Sequence, residues 1–407
     1  NTTASNNTAV GYNALVATTT GANNAALGAA SLAANTTGTG NVAMGQAALY
    51  AATTADYNTA LGYNALAANT TGGSNVAIGP YALDANTTAS DNVAVGRHSL
   101  GTNVTGTQNT SIGKGSLFNN TTSNNTAAGF EALTANTSGT QNVAVGAQAL
   151  AANTTAANNT AVGYRASYTA AGASAQNTAV GMSALYTNNG GEYNTALGYY
   201  SMQGATTGDY NTAIGASTMV AANTGTYNVA VGYLALTANT GGVQNVTVGA
   251  GSLDANTTGS YNTAMGHDAL SANTTASSNT AVGKGALTAN TTGANNIAIG
   301  VSTLDANTTA HDNVAIGNSA MTASNSADNV AIGNLALTAL TSGANNVGVG
   351  SGALAANTTA ANNVALGRNA LAVNTTGAAN TAVGANALDA NTTVDNNTAI
   401  GHASLTA

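Results

Sequence analysis

The sequence predicts an all-β protein, a parallel β-solenoid (β-roll) of 24 coils with about 17 residues each and a thin core of Ala and aliphatic side chains. First, the phrase Asn-Thr/Val-Ala-aliphatic-Gly recurs at a nearly constant interval from end to end, which is the signature of a repeat architecture. Second, only 4% of residues are charged, whereas ordinary soluble domains have about 25%. Third, much of the 43% hydrophobic fraction is Ala, with two Phe and no Trp, so a thick core cannot form.

The repeat interval is set by the Gly of the phrase, which recurs with even spacing at Gly11, Gly28, Gly45 and onward. The interval is one residue shorter in 113–129 and 317–333 and one residue longer in 163–181. We therefore treat residues 1–407 as a single solenoid array. Because the chain starts and stops inside the pattern, we expect it to be an uncapped piece of a longer polypeptide.

Each unit contains one predicted strand and one predicted turn. The three residues before the Gly alternate with period two, so the central Ala faces one side and its neighbours face the other. Asn-Thr-Thr-Gly and its variants are typical of turns. A helix of ordinary length does not fit in so short a unit when it also contains two turn signals. The residue before Gly and the Leu four residues after it, such as Leu66, are almost always apolar, and we expect both to point inward.

Two residues of the phrase have predicted structural roles. The Asn four residues before Gly is present in all 24 units, and stacked coils would align these side chains in an amide ladder that satisfies buried backbone groups. The Gly is expected at a sharp corner where a Cβ would clash.

Charge and composition argue against several functions. The net charge is −8, and the five basic residues are spread along the sequence, so we expect no nucleic-acid partner. There is no Cys and no run of 18 apolar residues, so neither a thiolate metal site nor a membrane span is expected.

No catalytic, cofactor or metal site is predicted, and we do not expect an enzyme. The histidines are isolated from one another in the sequence and are expected to be solvated: His98, His267, His311 and His402. Four carboxylates share one repeat position in coils that are not adjacent: Asp84, Asp254, Asp305 and Asp389. Paired acid–base chemistry would require such groups to meet.

Tyrosine forms the candidate surface feature. Tyr193, Tyr210 and Tyr227 each precede the constant Asn in three consecutive units, so the sequence predicts an aromatic ladder. Stacked Tyr side chains offer the broad amphipathic area that binding surfaces use, although cross-strand stacking alone would also explain them.

The thin core also indicates association. Two aliphatics and a few Ala per coil bury little apolar surface against an ordering cost of about 1.5 kcal/mol per residue. We therefore expect copies of the chain to assemble, as a homotrimer or a filament. The strand Ala residues, such as Ala77, Ala94 and Ala213, are expected where another backbone approaches closely, either across the thin coil or in a contact between chains.

The phrase Asn-Val-Ala-Ile-Gly at 75–79, 313–317 and 329–333 resembles the head repeats of trimeric autotransporter adhesins. The resemblance extends over all 24 units and implies a left-handed parallel β-roll in which three chains pack together, displayed at a cell surface. Similar arrays also resemble phage tail-fibre shafts.

These observations give three functional hypotheses. The first is a non-enzymatic extracellular or cell-surface fibre segment acting in surface attachment or filament assembly, with a host or matrix receptor as a further partner. The second is a phage tail-fibre shaft. The third is an ice-binding solenoid with ordered Thr rows, which is weakened because Val or Ile occupies the strand Thr position in many units, for example at Val42 and Ile297.

Overall fold

The computed structural model describes residues 3–169 and 175–406, and over these residues it is an all-β parallel solenoid without helix. The chain divides into two compact units, Asn1–Thr207 and Gly208–Ala407, which are described separately. Each unit contains 12 strands of three residues. The predicted fold class is therefore confirmed, whereas the expectation of one undivided array stays a prediction.

The strands of the first unit are β1 Thr8–Val10, β2 Ala25–Leu27, β3 Val42–Met44, β4 Thr59–Leu61, β5 Val76–Ile78, β6 Val93–Val95, β7 Thr110–Ile112, β8 Thr126–Ala128, β9 Val143–Val145, β10 Thr160–Val162, β11 Thr178–Val180 and β12 Thr195–Leu197. Those of the second unit are β13 Thr212–Ile214, β14 Val229–Val231, β15 Val246–Val248, β16 Thr263–Met265, β17 Thr280–Val282, β18 Ile297–Ile299, β19 Val314–Ile316, β20 Val330–Ile332, β21 Val347–Val349, β22 Val364–Leu366, β23 Thr381–Val383 and β24 Thr398–Ile400.

Within each unit, every strand pairs in parallel with the next strand of the chain, and equivalent residues are aligned. In β5 and β6, for example, Ala77 pairs with Ala94. The coils of irregular length keep this register, since Thr110 pairs with Thr126 and Thr160 with Thr178. The missing or additional residue is therefore absorbed by the rest of the coil and leaves the strand alignment intact.

The core is formed by the strand Ala and by the Leu four residues after Gly. Ala77, Leu66 and Leu83 are completely buried. At Gly348, which replaces the strand Ala in β21, an added Cβ would lie 3.4 Å from Leu337 Cδ1. The two core positions therefore face each other at van der Waals distance, and the prediction that the Leu points inward is confirmed.

The residue before Gly points outward, so the prediction that it points inward is wrong. In β4 and β7, Leu61 and Ile112 are each 45% exposed. The physical reason is the narrow coil: the Leu from the facing wall already reaches the strand, and only a small side chain fits opposite it, Ala in most strands and Thr247 as the largest. Of the two contacts expected for the strand Ala, the structure shows the one across the coil and not one between chains, because Ala77, Ala94 and Ala213 are all buried inside their own chain.

Three positions per coil have positive φ even where they are not Gly, which the sequence analysis did not anticipate. They are the residue before the constant Asn and the second and fourth residues after Gly, illustrated by Tyr57 at 58°, Asn64 at 52° and Leu66 at 54°. Left-handed backbone is especially unfavourable for β-branched residues. Accordingly, no Val, Ile or Thr occupies any of these positions in the sequence, and the core Leu is replaced by Met or Ser instead.

The Gly at the end of each strand forms the expected corner. Gly283 has a φ of 135°, and an added Cβ would lie 2.2 Å from the carbonyl oxygen of Gly300 in the next coil. A side chain is therefore disfavoured both by the backbone conformation and by the approach of the neighbouring coil.

The constant Asn forms the predicted ladder. The Asn245 backbone N–H donates to Asn228 Oδ1 at 3.0 Å, and Asn245 Oδ1 accepts the backbone N–H of Asn262 at 3.0 Å. Its Nδ2 donates to the Gly259 carbonyl at 2.9 Å. A second amide ladder lies at the first turn position, where Asn256 Nδ2 donates to Asn239 Oδ1 at 3.0 Å. Both ladders are buried and connect successive coils.

Candidate functional site

The predicted tyrosine ladder is seen in the second unit as a pair of stacked rings. Tyr210 and Tyr227 lie with their centroids 5.0 Å apart and their planes parallel. The rings are 47% and 55% exposed, and both residues have positive φ. Tyr193 belongs to the first unit and is 44% exposed. A binding role for these three residues stays a prediction.

A continuous apolar surface runs along each unit. We call it the outward strand face, defined as the first and third residues of every strand. The third residue is Val, Ile, Leu or Met in all strands except β8, which has Ala128, and the first residue is Thr, Val, Ile or Ala. No charged residue occurs at either position. The sequence pattern predicts the third residue in the core, whereas in the structure this residue is exposed.

The Thr row of the turns is used for contacts between coils. Thr36 Oγ1 donates to the Thr53 carbonyl at 3.0 Å, and Thr53 and Thr70 continue the pattern at 3.3 and 2.9 Å. Each of these hydroxyl hydrogens is committed to the backbone of the next coil. The row therefore contributes to the stacking of the coils.

Basic and aromatic side chains meet on the edge that follows the strands of the first unit, where sequence reasoning expected scattered charges. Tyr81 stacks on His98 with centroids 5.0 Å apart, and His98 contacts the Phe118 ring edge-to-face at 5.8 Å. Lys114 Nζ lies 5.4 Å from the centroid of Phe130. The signal that could have located this edge is the shared repeat position of Arg97 and Lys114, each directly after a corner Gly.

Imidazole and carboxylate groups converge at one place in the second unit. His311, Asp312 and Asp328 each offer a ligand atom, and these atoms lie within 4.8 Å of one another. His311 Nδ1 is 2.7 Å from Asp312 Oδ2, and this hydrogen bond lowers the pKa of the Asp312 carboxyl. All three side chains are exposed. His311 therefore has two carboxylate neighbours, because the shortened coil still aligns Asp328 with Asp312.

The carboxylates at the shared repeat position remain apart, since they belong to coils that are not adjacent. Burial raises the pKa of the Asp84, Asp254 and Asp305 carboxyl groups, and hydrogen bonds from backbone N–H groups oppose the shift.

A cavity of about 250 Å³ lies at the last coil and is lined by Leu388, Val394 and other apolar or amide residues without a titratable group.

Comparisons with known proteins give no relative. No protein-family model matches the chain, and a search of curated proteins finds no similar sequence. Within the described residues there is no helix of the length and apolarity that crossing a membrane requires.

Proposed function

We propose that this chain is a non-enzymatic structural segment of an extracellular or cell-surface fibre, in which copies associate as a homotrimer or filament and serve surface attachment or filament assembly. The exposed apolar outward strand face carries the proposal. Soluble monomers rarely expose long contiguous apolar surfaces, and such surfaces generally mark interaction sites. The proposal keeps the expected assembly, but the contact between copies is now made by the first and third residues of each strand instead of the central Ala.

The dimensions of the outward strand face suit such a contact. With about 4.8 Å between neighbouring strands, the 12 strands of one unit extend it over roughly 50 Å. A standard interface buries roughly 800 Å² on each partner, which requires an extended surface of this kind. Backbone bonding to a partner is not needed, because the contact is made by side chains.

A phage tail-fibre shaft is the alternative structural role, and it would use the same surface to associate. The two roles differ in the domains and neighbouring proteins to which the segment is joined, including any host or matrix receptor that the fibre contacts. The sequence of the complete reading frame and its genomic neighbours would separate them.

The assembly is tested by light scattering and analytical ultracentrifugation of the parent chain and two triple variants. Ile299→Lys/Ile316→Lys/Ile332→Lys places charges on the outward strand face. The control Thr275→Lys/Thr292→Lys/Thr309→Lys places the same charges on exposed turn positions of the same unit. We expect an oligomeric parent, an oligomeric control and a dissociated strand-face variant. A monodisperse monomeric parent at micromolar concentration would refute the proposal.

A further inference from the structure

The first unit contains a local cluster that its repeat architecture does not require. We call it the cationic aromatic edge, defined by Tyr81, Arg97, His98, Lys114, Phe118 and Phe130. Both Phe residues of the chain and two of its five Lys and Arg residues fall in this cluster. Several other coils have Ala, Asn, Ser or Gly at the equivalent positions, so the fold tolerates small side chains there.

The aromatic groups are held in a defined order. The Tyr81–His98–Phe118 contacts span three consecutive coils, and Tyr63 adds an edge-to-face contact to Tyr81 at 5.2 Å. Phe130 remains 43% exposed beneath the Lys114 ammonium, and Tyr63 is also 43% exposed. The edge therefore combines a fixed row of rings with the exposed ring of Phe130, and the exposed ring of Tyr63 lies next to it.

The two cations lack carboxylate partners. Arg97 and Lys114 occupy the same position in adjacent coils and are exposed, and the ion pairs of the described residues involve only His267–Asp268 and His311–Asp312. The nearby Glu131 carboxylate instead accepts a hydrogen bond from Gln148 Nε2 at 3.4 Å. Like charges at equivalent positions of adjacent coils repel each other. An anionic ligand would relieve this repulsion on a chain whose net charge is otherwise −8.

We propose that the cationic aromatic edge binds an acidic polysaccharide whose sugar rings carry carboxylates. The guanidinium and ammonium groups would pair with the carboxylates, and the exposed rings would pack against the apolar faces of the sugars. Nucleic acid fits less well, because DNA carries one charge per about 1.7 Å and the acidic chain would repel so dense a polyanion. The edge lies beside the outward strand face and not on it, so binding does not depend on the proposed assembly.

Binding is tested by isothermal titration calorimetry of the whole chain with polygalacturonate, with neutral dextran and with an oligo(dT) strand as competing classes. The variant Arg97→Gln/Lys114→Gln removes both cations. The control Lys284→Gln/Arg368→Gln removes two exposed cations at the same repeat position of the second unit. The charge-conserving Arg97→Lys/Lys114→Arg variant tests whether any loss follows from the charge rather than from folding, and light scattering on each variant reports assembly separately.

We expect the parent to bind polygalacturonate and not dextran, with salt weakening the complex. The Arg97→Gln/Lys114→Gln variant should bind about tenfold or more weakly, while the control and charge-conserving variants stay within about threefold. Absence of parent binding, equal weakening by the control, or tighter binding of oligo(dT) would overturn the proposal. Because oligomeric state is measured independently, failure of this site is distinguishable from failure of the assembly.

Discussion

Replacing Gly283 by Ala should disrupt the contact between two coils of the second unit. The φ of 135° is a conformation that L-residues rarely adopt, and the new Cβ would lie 2.2 Å from the Gly300 carbonyl oxygen and 2.6 Å from its carbon. Backbone strain of this kind costs about 1–3 kcal/mol, and displacement of a packed neighbour costs about 1–3 kcal/mol more. We therefore expect a loss of about 2–6 kcal/mol in the stability of this contact.

The matched control is Gly285→Ala in the same coil. Gly285 has a φ of 65°, and its nearest potential contact is Thr288 Oγ1 at 3.3 Å. Ala47 occupies the equivalent position with a φ of 54°, so the backbone accepts Ala there.

Hydrogen exchange measured by mass spectrometry is the appropriate assay, because solenoid coils interact mainly with their neighbours and the array need not unfold in one step. In the Gly283 variant, protection should fall in residues 280–303 and remain in distant coils. Equal exchange in the two variants would refute the corner argument.

Three further predictions address the ladder, the core and the titrating carboxylates. Asn245→Ala should destabilise the second unit by about 2 kcal/mol or more, because the buried Asn262 N–H loses its acceptor; thermal unfolding should show a smaller change for the exposed-turn control Thr258→Ala. Ala298→Leu should overpack the core and cost about 1–3 kcal/mol at every protein concentration, and a cost that disappears on dilution would indicate an intermolecular contact instead. Burial raises the pKa of Asp305, so ionisation of this carboxyl lowers the folding stability as the pH rises from the unfolded pKa of about 3.8 through the raised folded pKa. Asp305→Asn should therefore raise the melting temperature at pH 7 but not at pH 3. An equal gain at both pH values would contradict this cause.

The period, the strand, the corner Gly and the Asn ladder could be predicted because each follows from local chemistry repeated in register. Which face of the strand points into the core could not be predicted. Alternation shows that Ala77 and Ile78 face opposite sides, but both are apolar, and the larger side chain was assigned to the core. The error arises because the available width depends on Leu66 and its equivalents, which reach across the coil from another part of the repeat. Only the closed coil shows that a small side chain fills the remaining space.

A pattern that could have corrected this assignment is the distribution of β-branched residues. The core Leu position never contains Val, Ile or Thr, whereas the position before Gly contains Val and Ile freely. The positive φ at the Leu position explains the difference, because β-branched side chains are strained there. Two apolar positions with such different tolerances differ in backbone conformation and cannot occupy equivalent environments. The candidate sites were harder to predict, because they depend on which long side chains meet across coils whose lengths differ.

Two exposed positions of the repeat differ in how much their residues vary from coil to coil. The residue directly after the corner Gly varies widely and is, for example, Tyr12, Gln46, Pro80 or Arg97 in different coils. The third strand residue is just as accessible in many coils, with Leu61 at 45% and Met265 at 44% exposure, yet it is aliphatic throughout. Solvent exposure alone would allow polar residues there, as it does after the Gly. A requirement acting from outside the chain would account for the difference, and the proposed burial against another copy would supply it.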